Sequence, residues 1–461
     1  MELELFVTPG LGDNSYLITS GGEAVLVDPQ RDAWRFLAVA QERKLRVRYV
    51  LETHVHNDYI SGALETRSAT GAEIAAPAKG GYEFPHRPMA EGDEVLIGAL
   101  RIVAIETPGH TPEHTSWLVY EDSTQEPVAI FTGGSLIVAS AGRTDLLGPE
   151  MAEELTRAQY RTLRRLATLP PHVQVLPTHG AGSFCTAIVP AMSRVTTIAA
   201  ELMHNPMLAV RDEEEFIRRH LSGLLAYPAY YAHMAAINRT GPKILGRLPE
   251  LRALSADEVA KLTESGVWIV DARDRKAFAQ AHIPGSLNIE IDSTFGIYVG
   301  WVTPFNSRLI LILPEPIKES SREAVVQLIR IGYEQIDGYL DGGVDAWISS
   351  GRPVSSYPTA GVDDLCKAYL SGQPFRLLDV RQNAEWESGH IPDSLHIFIG
   401  ELTVRLQEVP KDKQVWVACA SGYRASIAAS LLDRAGIPVR LVAQGGVPEW
   451  LARCYPQRSS V

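Results

Sequence analysis

Ala281-His282-Ile283-Pro284-Gly285-Ser286-Leu287 returns further along the chain as Gly389-His390-Ile391-Pro392-Asp393-Ser394-Leu395. The same offset separates Asp271, in Val267-Trp268-Ile269-Val270-Asp271-Ala272-Arg273, from Asp379, in Leu377-Leu378-Asp379-Val380-Arg381. Gly342-Gly343 with Trp347, and Gly445-Gly446 with Trp450, close the two copies. A unit of roughly 105 residues present only twice means duplicated domains rather than a solenoid. Each copy alternates short buried-strand runs with helical stretches, which predicts a parallel α/β sheet. The break at Gly351-Arg352-Pro353 divides the copies into domains at 252–353 and 358–461.

Upstream of the repeat the chain is β-rich. Leu3–Phe6, Ser15–Ile18 and Ala24–Val27 are short runs punctuated by Gly10, Gly12, Gly21 and Gly22. A helix is expected over Trp34–Glu42, and Val47–Leu51 is a buried strand running into Glu-Thr-His-Val-His-Asn-Asp. Further strands follow at Ile74–Ala76, Glu94–Ile97, Leu100–Ile105, Ser116–Tyr120 and Val128–Phe131, with helices over Met151–Ala167 and much of Val189–Met203. This order favours a layered α/β domain. Residues 205–248 read as a helical, irregular connector, so that 1–248 forms the first domain. Three domains suit 461 residues at roughly 150 residues each.

With 45% hydrophobic and 21% charged residues, the chain is globular rather than disordered. The net charge of −12 argues against nucleic acid or an anionic membrane as its main partner. No apolar run reaches the roughly 18 residues of a membrane helix, and Met-Glu-Leu-Glu-Leu lacks a basic leader, so a cytoplasmic location is expected. A homo-oligomer is left open. Cys185, Cys366, Cys419 and Cys454 are too few and scattered for a disulfide framework, and each reads as buried filler or a reactive thiol.

Chemistry concentrates first at Cys419. Val415-Trp416-Val417-Ala418 is a short strand, Cys419-Ala420-Ser421-Gly422-Tyr423-Arg424 a loop, and Ala425–Arg434 a helix stopped by Gly436. Ala420, Ser421 and Gly422 allow the backbone to curl round the sulfur, while the helix N-terminus and Arg424 favour a thiolate. The same cradle suits a terminal sulfur or a small oxyanion. Taken with Asp379-Val380-Arg381, Glu385-Trp386, Gly389-His390-Ile391-Pro392 and Gly445-Gly446 with Trp450, the segment resembles the rhodanese family of sulfurtransferases. The resemblance implies that Cys419 carries sulfur as a persulfide, with Arg424 beside it and Ala420, Ser421, Gly422 and Tyr423 as the substrate-binding loop. Many family members have an arginine directly after the cysteine, where this chain has Ala420; this disfavours thiosulfate as an efficient donor. In the earlier copy the loop position reads Leu313-Pro314-Glu315-Pro316, with neither nucleophile nor anion cradle, so that domain is expected to be inactive.

Histidines mark a second site. Along extended chain, His54, His56 and Asp58 fall on one side, as consecutive metal ligands require. His110, in Thr107-Pro108-Gly109-His110-Thr111, and His179, in Pro177-Thr178-His179-Gly180, each follow a strand. His86, His114 and His172 lack that context and read as surface or supporting residues, and Cys185 as packing. With Gly142-Arg143-Thr144-Asp145, these motifs resemble the metallo-β-lactamase superfamily, closest to its persulfide dioxygenase and glyoxalase II branch. The fold implied is an αββα sandwich.

Tyr59 stands where hydrolases carry a histidine for a second metal, which favours a mononuclear site. The family's Phe-Thr-Gly-Asp reads Phe131-Thr132-Gly133-Gly134 here, so a carboxylate ligand is absent. Iron(II) dioxygenases use two histidines and one carboxylate. The set expected instead is His54, His56 and His110, holding one iron(II) or zinc, with Asp58, His179, Arg143 and Asp145 as supporting groups or alternative ligands. Restoring the acid, Gly134→Asp, is expected to raise iron occupancy. The whole resembles persulfide dioxygenase–rhodanese fusions. This implies a low-molecular-weight thiol persulfide, O2, and thiosulfate or sulfite as reaction partners. The alternatives are a sulfurtransferase with an impaired first domain, or a thioester hydrolase of glyoxalase II type.

Overall fold

A computed structural model describes residues 1–122, 125–188, 190–372 and 375–454. The described residues divide into two compact units, one within 1–249 with 329–332, the other within 250–328 with 333–454.

The first unit is built on two six-stranded sheets. One carries Glu2–Thr8, Asp13–Ser20, Glu23–Val27, Arg46–Leu51, Glu73–Pro77 and Arg87–Met89 side by side in chain order. The other runs in the order Thr196–Thr197, Gln174–Pro177, Ala129–Gly133, Thr115–Glu121, Leu100–Glu106, Glu94–Ile97. Both are mixed: Glu23–Val27 pairs parallel with Arg46–Leu51, and Ala129–Gly133 parallel with Gln174–Pro177, among antiparallel neighbours.

Strand alternation sends alternate residues to opposite faces, and the buried residues fall into three layers accordingly. Tyr16, Ile18, Val25 and Val27 meet Ile102, Trp117, Val119 and Phe131 between the sheets. Leu17, Leu26 and Val50 face the helix Trp34–Glu42 through Phe36 and Ala40. Leu118, Ile130 and Val175 face the helix Pro149–Leu166 through Leu163 and Leu166. The result is the expected helix–sheet–sheet–helix sandwich.

One expectation changes. Residues 190–197 are not helical; the helix is confined to Ile198–His204, where the Thr197 hydroxyl caps it, and Val189 lies outside the described residues. The stretch after 205 packs into the first unit through helices Glu213–Ser222 and Tyr231–Thr240, which bury Phe216 and Ile217, and Tyr231, Met234 and Asn238.

The second unit contains two five-stranded sheets, every pairing parallel. The orders are Ala253–Leu254, Ile336–Leu340, Leu309–Ile312, Trp268–Asp271, Leu287–Asn288, and Thr359–Gly361, Val439–Gln444, Val415–Ala418, Arg376–Asp379, Leu395–His396. The duplication extends to side chains. Arg273 forks onto Asp271 and donates to the Ala281 carbonyl at 2.9 Å; Arg381 forks onto Asp379 and donates to the Gly389 carbonyl at 2.8 Å. Each pair braces the turn ahead of the repeated His-Ile-Pro motif.

Cys366, on the helix Val362–Leu370, and Cys454, after the helix Val447–Arg453, are joined as a disulfide with Cα atoms 5.7 Å apart. The expectation of four separate thiols is thereby corrected. The two helices pack against one another round Trp450, which brings together cysteines that sequence spacing leaves far apart. Residues 455–461, assigned above to the last domain, lie outside the described residues. No described helix is long and apolar enough to cross a membrane.

Candidate metal centre and sulfur-transfer loop

In the first unit, the strand Arg46–Leu51 delivers the chain to 52–60, which bends instead of continuing extended. The turn is pinned from outside its own sequence. Asn238, on the helix Tyr231–Thr240, donates to the carbonyls of His56 and Tyr59 at 2.9 and 2.8 Å and accepts from Ser61 N–H at 2.9 Å. Glu113 accepts from Val55 N–H at 2.9 Å.

Within this frame His54, His110 and His179 offer ring nitrogens that all lie within 4.8 Å of one another, and all three are buried. The hydrogen-bond network fixes their tautomers. Thr53 Oγ1 gives its proton to Asp28 Oδ2 (2.7 Å), so towards His54 Nδ1 (2.8 Å) it accepts. His110 Nδ1 faces the Arg143 carbonyl at 2.7 Å, an acceptor only. His179 Nδ1 faces Asp13 Oδ1 at 2.9 Å. Each Nδ1 therefore carries the proton, at His179 with Asp13 ionised, and each Nε2 presents a lone pair.

His110 Nε2 is buried without a partner, and the Nε2 atoms of His54 and His179 are 3.4 Å apart. Burial, and then the neighbouring imidazoles, hold His54 and His110 well below the usual histidine range; burial also lowers His179. Three neutral imidazoles aiming lone pairs at one point, with backbone, hydroxyl and carboxylate behind them, fit a metal ion.

His56 faces differently. Its Nε2 lies 3.1 Å from Glu52 Oε2, 3.3 Å from Asp28 Oδ1 and 3.1 Å from the Tyr59 hydroxyl. Burial works against a proton on this ring, but the two carboxylates outweigh it and raise His56 well above its ordinary range. Its Nδ1 is buried and unpartnered. The groups Asp28–His54–His56 and His56–Asp58–His179 also fall within metal-binding reach. Asp58 lies 3.5 Å from His179 Nδ1, and burial pushes both Asp58 and Asp13 up to about 7.

Arg143 serves His110 through its carbonyl, while its guanidinium forks onto Asp145 at 2.7 and 2.8 Å. Of the two expectations for His114, surface or supporting, the second fits: it is fully buried, its Nδ1 meets Thr107 Oγ1 at 2.8 Å and its Nε2 accepts from Gly134 N–H at 3.0 Å. Gly134 changes meaning too. A Cβ there would lie 2.2 Å from His110 Cδ2 and 2.8 Å from its Nε2. The imidazole fills the space an acid at 134 would enter, so Gly134→Asp is not expected to complete the site. Glu52 and Thr53 open the Glu-Thr-His-Val-His-Asn-Asp stretch, though nothing in it marks them as partners of the histidines; Asp13, Asp28, Glu113 and Asn238 lie outside every motif, and only the abrupt Asp28-Pro29 end of a strand hints at one of them.

In the second unit Cys419 follows the strand Val415–Ala418 and is 1% exposed. The Gly422 N–H donates to its Sγ at 3.1 Å, and Gly422 has φ +97° at the start of the helix Tyr423–Arg434. The Cys419 carbonyl accepts from Val447 N–H at 2.9 Å, an approach that Gly446 permits because a Cβ there would lie 2.2 Å from the Ala420 carbonyl. Arg424 forks onto Glu385, with one arm at 2.8 Å. Burial opposes ionisation of Glu385, but Arg424 prevails and holds it below its ordinary range. Tyr423 donates to the Glu290 carbonyl at 3.0 Å. In the other copy, the strand Leu309–Ile312 leads into a thiol-free turn where Glu315 accepts from Ile317 N–H at 3.0 Å.

Comparison with known proteins agrees with this architecture. Residues 8–179 match the metallo-beta-lactamase superfamily model, and 255–350 and 363–453 each match the rhodanese-like domain model. A hydroxyacylglutathione hydrolase of Cereibacter sphaeroides is 30% identical over 285 residues, 61% of this chain and 97% of that protein. A crystal structure of a metallo-beta-lactamase from Staphylococcus aureus aligns at 28% identity and TM-score 0.66, covering 73% of this chain and 98% of that one. The crystal structure of ETHE1 from Myxococcus xanthus aligns at 30% identity and TM-score 0.46, covering 54% and 100%. This chain belongs to the metallo-beta-lactamase superfamily and carries, after that domain, two rhodanese-like domains.

Proposed function

We propose that the chain is an enzyme of reactive-sulfur metabolism, with domains at 1–248, 252–353 and 358–461, that joins persulfide oxidation in the first domain to sulfur transfer at Cys419. The observation that carries the reading is the Cys419 sulfur, held by the Gly422 N–H at a strand end in one copy of a duplicated domain, with no thiol in the other. The Cys419 thiolate attacks the outer sulfur of a thiol persulfide or of thiosulfate. One S–S bond forms as another breaks, and the donor leaves as a thiolate or as sulfite. An acceptor thiol or sulfite then takes the same sulfur, restoring Cys419 with no net oxidant.

His54, His110 and His179 would hold one metal, read as iron(II) with zinc as the alternative, and His56 stands next to them. When bound, the metal supplies a Lewis acid for a sulfur ligand and, as iron, the capacity to react with O2. The chain's own contribution is a dry site of neutral imidazoles whose protons are directed outward to Thr53, Arg143 and Asp13. Metal analysis of anaerobically purified protein, coupled to O2 uptake with a low-molecular-weight persulfide, tests the reading. Near-stoichiometric iron with persulfide-dependent uptake supports it. Zinc with no uptake leaves sulfur transfer alone.

The hydrolase name of the 30%-identical relative favours a second reading, thioester hydrolysis by the first domain. Against it, Tyr59 occupies the position of a second-metal histidine and is spent on His56 and the Asp28 carbonyl. Turnover of a hydroxyacyl-thiol ester without O2 would favour the hydrolase.

A further inference from the structure

The rhodanese-like domain without a cysteine reaches into the loop of the one that has it. Arg275, at the start of the helix Arg275–Gln280, is clamped by Glu290 through Nε at 2.7 Å and Nη2 at 2.6 Å. Its remaining arm, Nη1, donates to the Ser421 carbonyl at 3.0 Å. That carbonyl belongs to the same peptide unit as the Gly422 N–H, which donates to Cys419 Sγ. In a planar trans peptide C=O and N–H point in opposite directions, so a hold on one aims the other. A hydrogen bond accepted by the carbonyl also polarises the N–H and strengthens its bond to sulfur. The packing is close: a Cβ on Gly422 would lie 2.6 Å from Arg275 Nη1 and 2.7 Å from the Ala443 carbonyl.

We propose that Arg275 is the positioning residue of the sulfur-transfer loop: it turns the Ser421–Gly422 peptide so that its N–H stabilises the anionic sulfur of Cys419. This gives the inactive domain a part in the site, and it places a cation at a loop that has Ala420 where relatives have arginine. The inference rests on the proposal that Cys419 is the sulfur carrier. The ionisable groups round the loop are Arg424 with Glu385, Arg275 with Glu290, Asp292, which accepts from the Tyr423 hydroxyl at 3.2 Å, and Tyr423 and Tyr298, whose rings lie 5.3 Å apart. Arg424 is already committed to Glu385, which leaves Arg275 as the arginine joined directly to the loop backbone.

The test reads the thiol itself, so its outcome is separable from that of the function. Alkylation of Cys419 by iodoacetamide is followed against pH by mass spectrometry of the Cys419 peptide in the full chain. Arg275→Gln is expected to move the profile to higher pH and to slow alkylation at pH 7 by about tenfold, one unit of displacement. Arg275→Lys, which keeps the charge but cannot fork between Glu290 and the Ser421 carbonyl, is expected to give a smaller shift in the same direction and serves if Arg275→Gln does not fold. Asp433→Ala removes a contact to His282 away from the loop and controls for slackening between the copies. An unshifted profile in folded Arg275→Gln, or an equal shift in Asp433→Ala, overturns the proposal. A shift with no sulfur transfer in any variant upholds the positioning role and removes the function.

Discussion

Gly134 lies flat against His110, leaving 2.2 Å between an imagined Cβ and the ring carbon Cδ2. Glycine at this position therefore does more than omit an acid. It makes room for His110 to turn its unpartnered Nε2 towards His54 and His179. Gly134→Ala should lower metal content and cost about 1–3 kcal/mol in chemical denaturation, the usual range for overpacking a full core. Gly134→Asp should do no better. A Gly134→Asp protein that keeps its stability and gains iron would show that His110 yields the space.

Metal content should separate His179 from His56. His179→Ala removes one of three converging lone pairs and should deplete the metal as His54→Ala and His110→Ala do, from one ion per chain in the wild type. His56→Ala leaves Asp28 and Glu52 buried without their shared partner, and breaking a buried pair of this kind costs about 3–5 kcal/mol. Its expected signature is a large loss of stability in urea. If His179→Ala retains its metal while a folded His56→Gln loses it, the ligand set is His54, His56 and His110.

Cys419→Ser should abolish sulfur transfer to a thiol or to cyanide and leave O2 uptake unchanged. Cys185 is fully buried, and burial pushes its thiol well above the ordinary range, so Cys185→Ser should transfer sulfur normally. The reverse pattern, measured in a single assay on both variants, would reassign the carrier.

What could be read from sequence was what is contiguous. The repeat gave two matching sheets because Asp-x-Arg and His-Ile-Pro sit at fixed offsets, and Cys419 was legible because strand, loop and helix follow one another directly. The histidine site was legible only in part. Alternation places His54, His56 and Asp58 on one side of an extended strand, but residues 52–60 bend under the hold of Asn238, and His56 turns its Nε2 to Asp28 and Glu52. Partners so distant in sequence leave no periodic trace. Cys366 and Cys454 were missed as a pair for the same reason, since a packing of two helices joins them.

His220 offers a stability test at a group that takes part in neither proposed reaction. It lies in the helix Glu213–Ser222, fully buried against Phe216, with neither ring nitrogen hydrogen-bonded. Burial, outweighing Asp145, lowers its pKa from 6.5 to about 4. The unfolded chain therefore takes up a proton before the folded one does. Stability is complete above about pH 6.5 and falls as pH drops towards 4, by on the order of 3 kcal/mol at 1.36 kcal/mol per unit. His220→Leu cannot bind that proton. The difference in unfolding free energy between the two proteins, measured in urea, should be flat above pH 6.5 and shift steadily in favour of His220→Leu down to pH 4. A difference independent of pH throughout would mean that His220 takes up its proton in the fold as readily as in the unfolded chain, with a partner or water supplying what the packed helix does not.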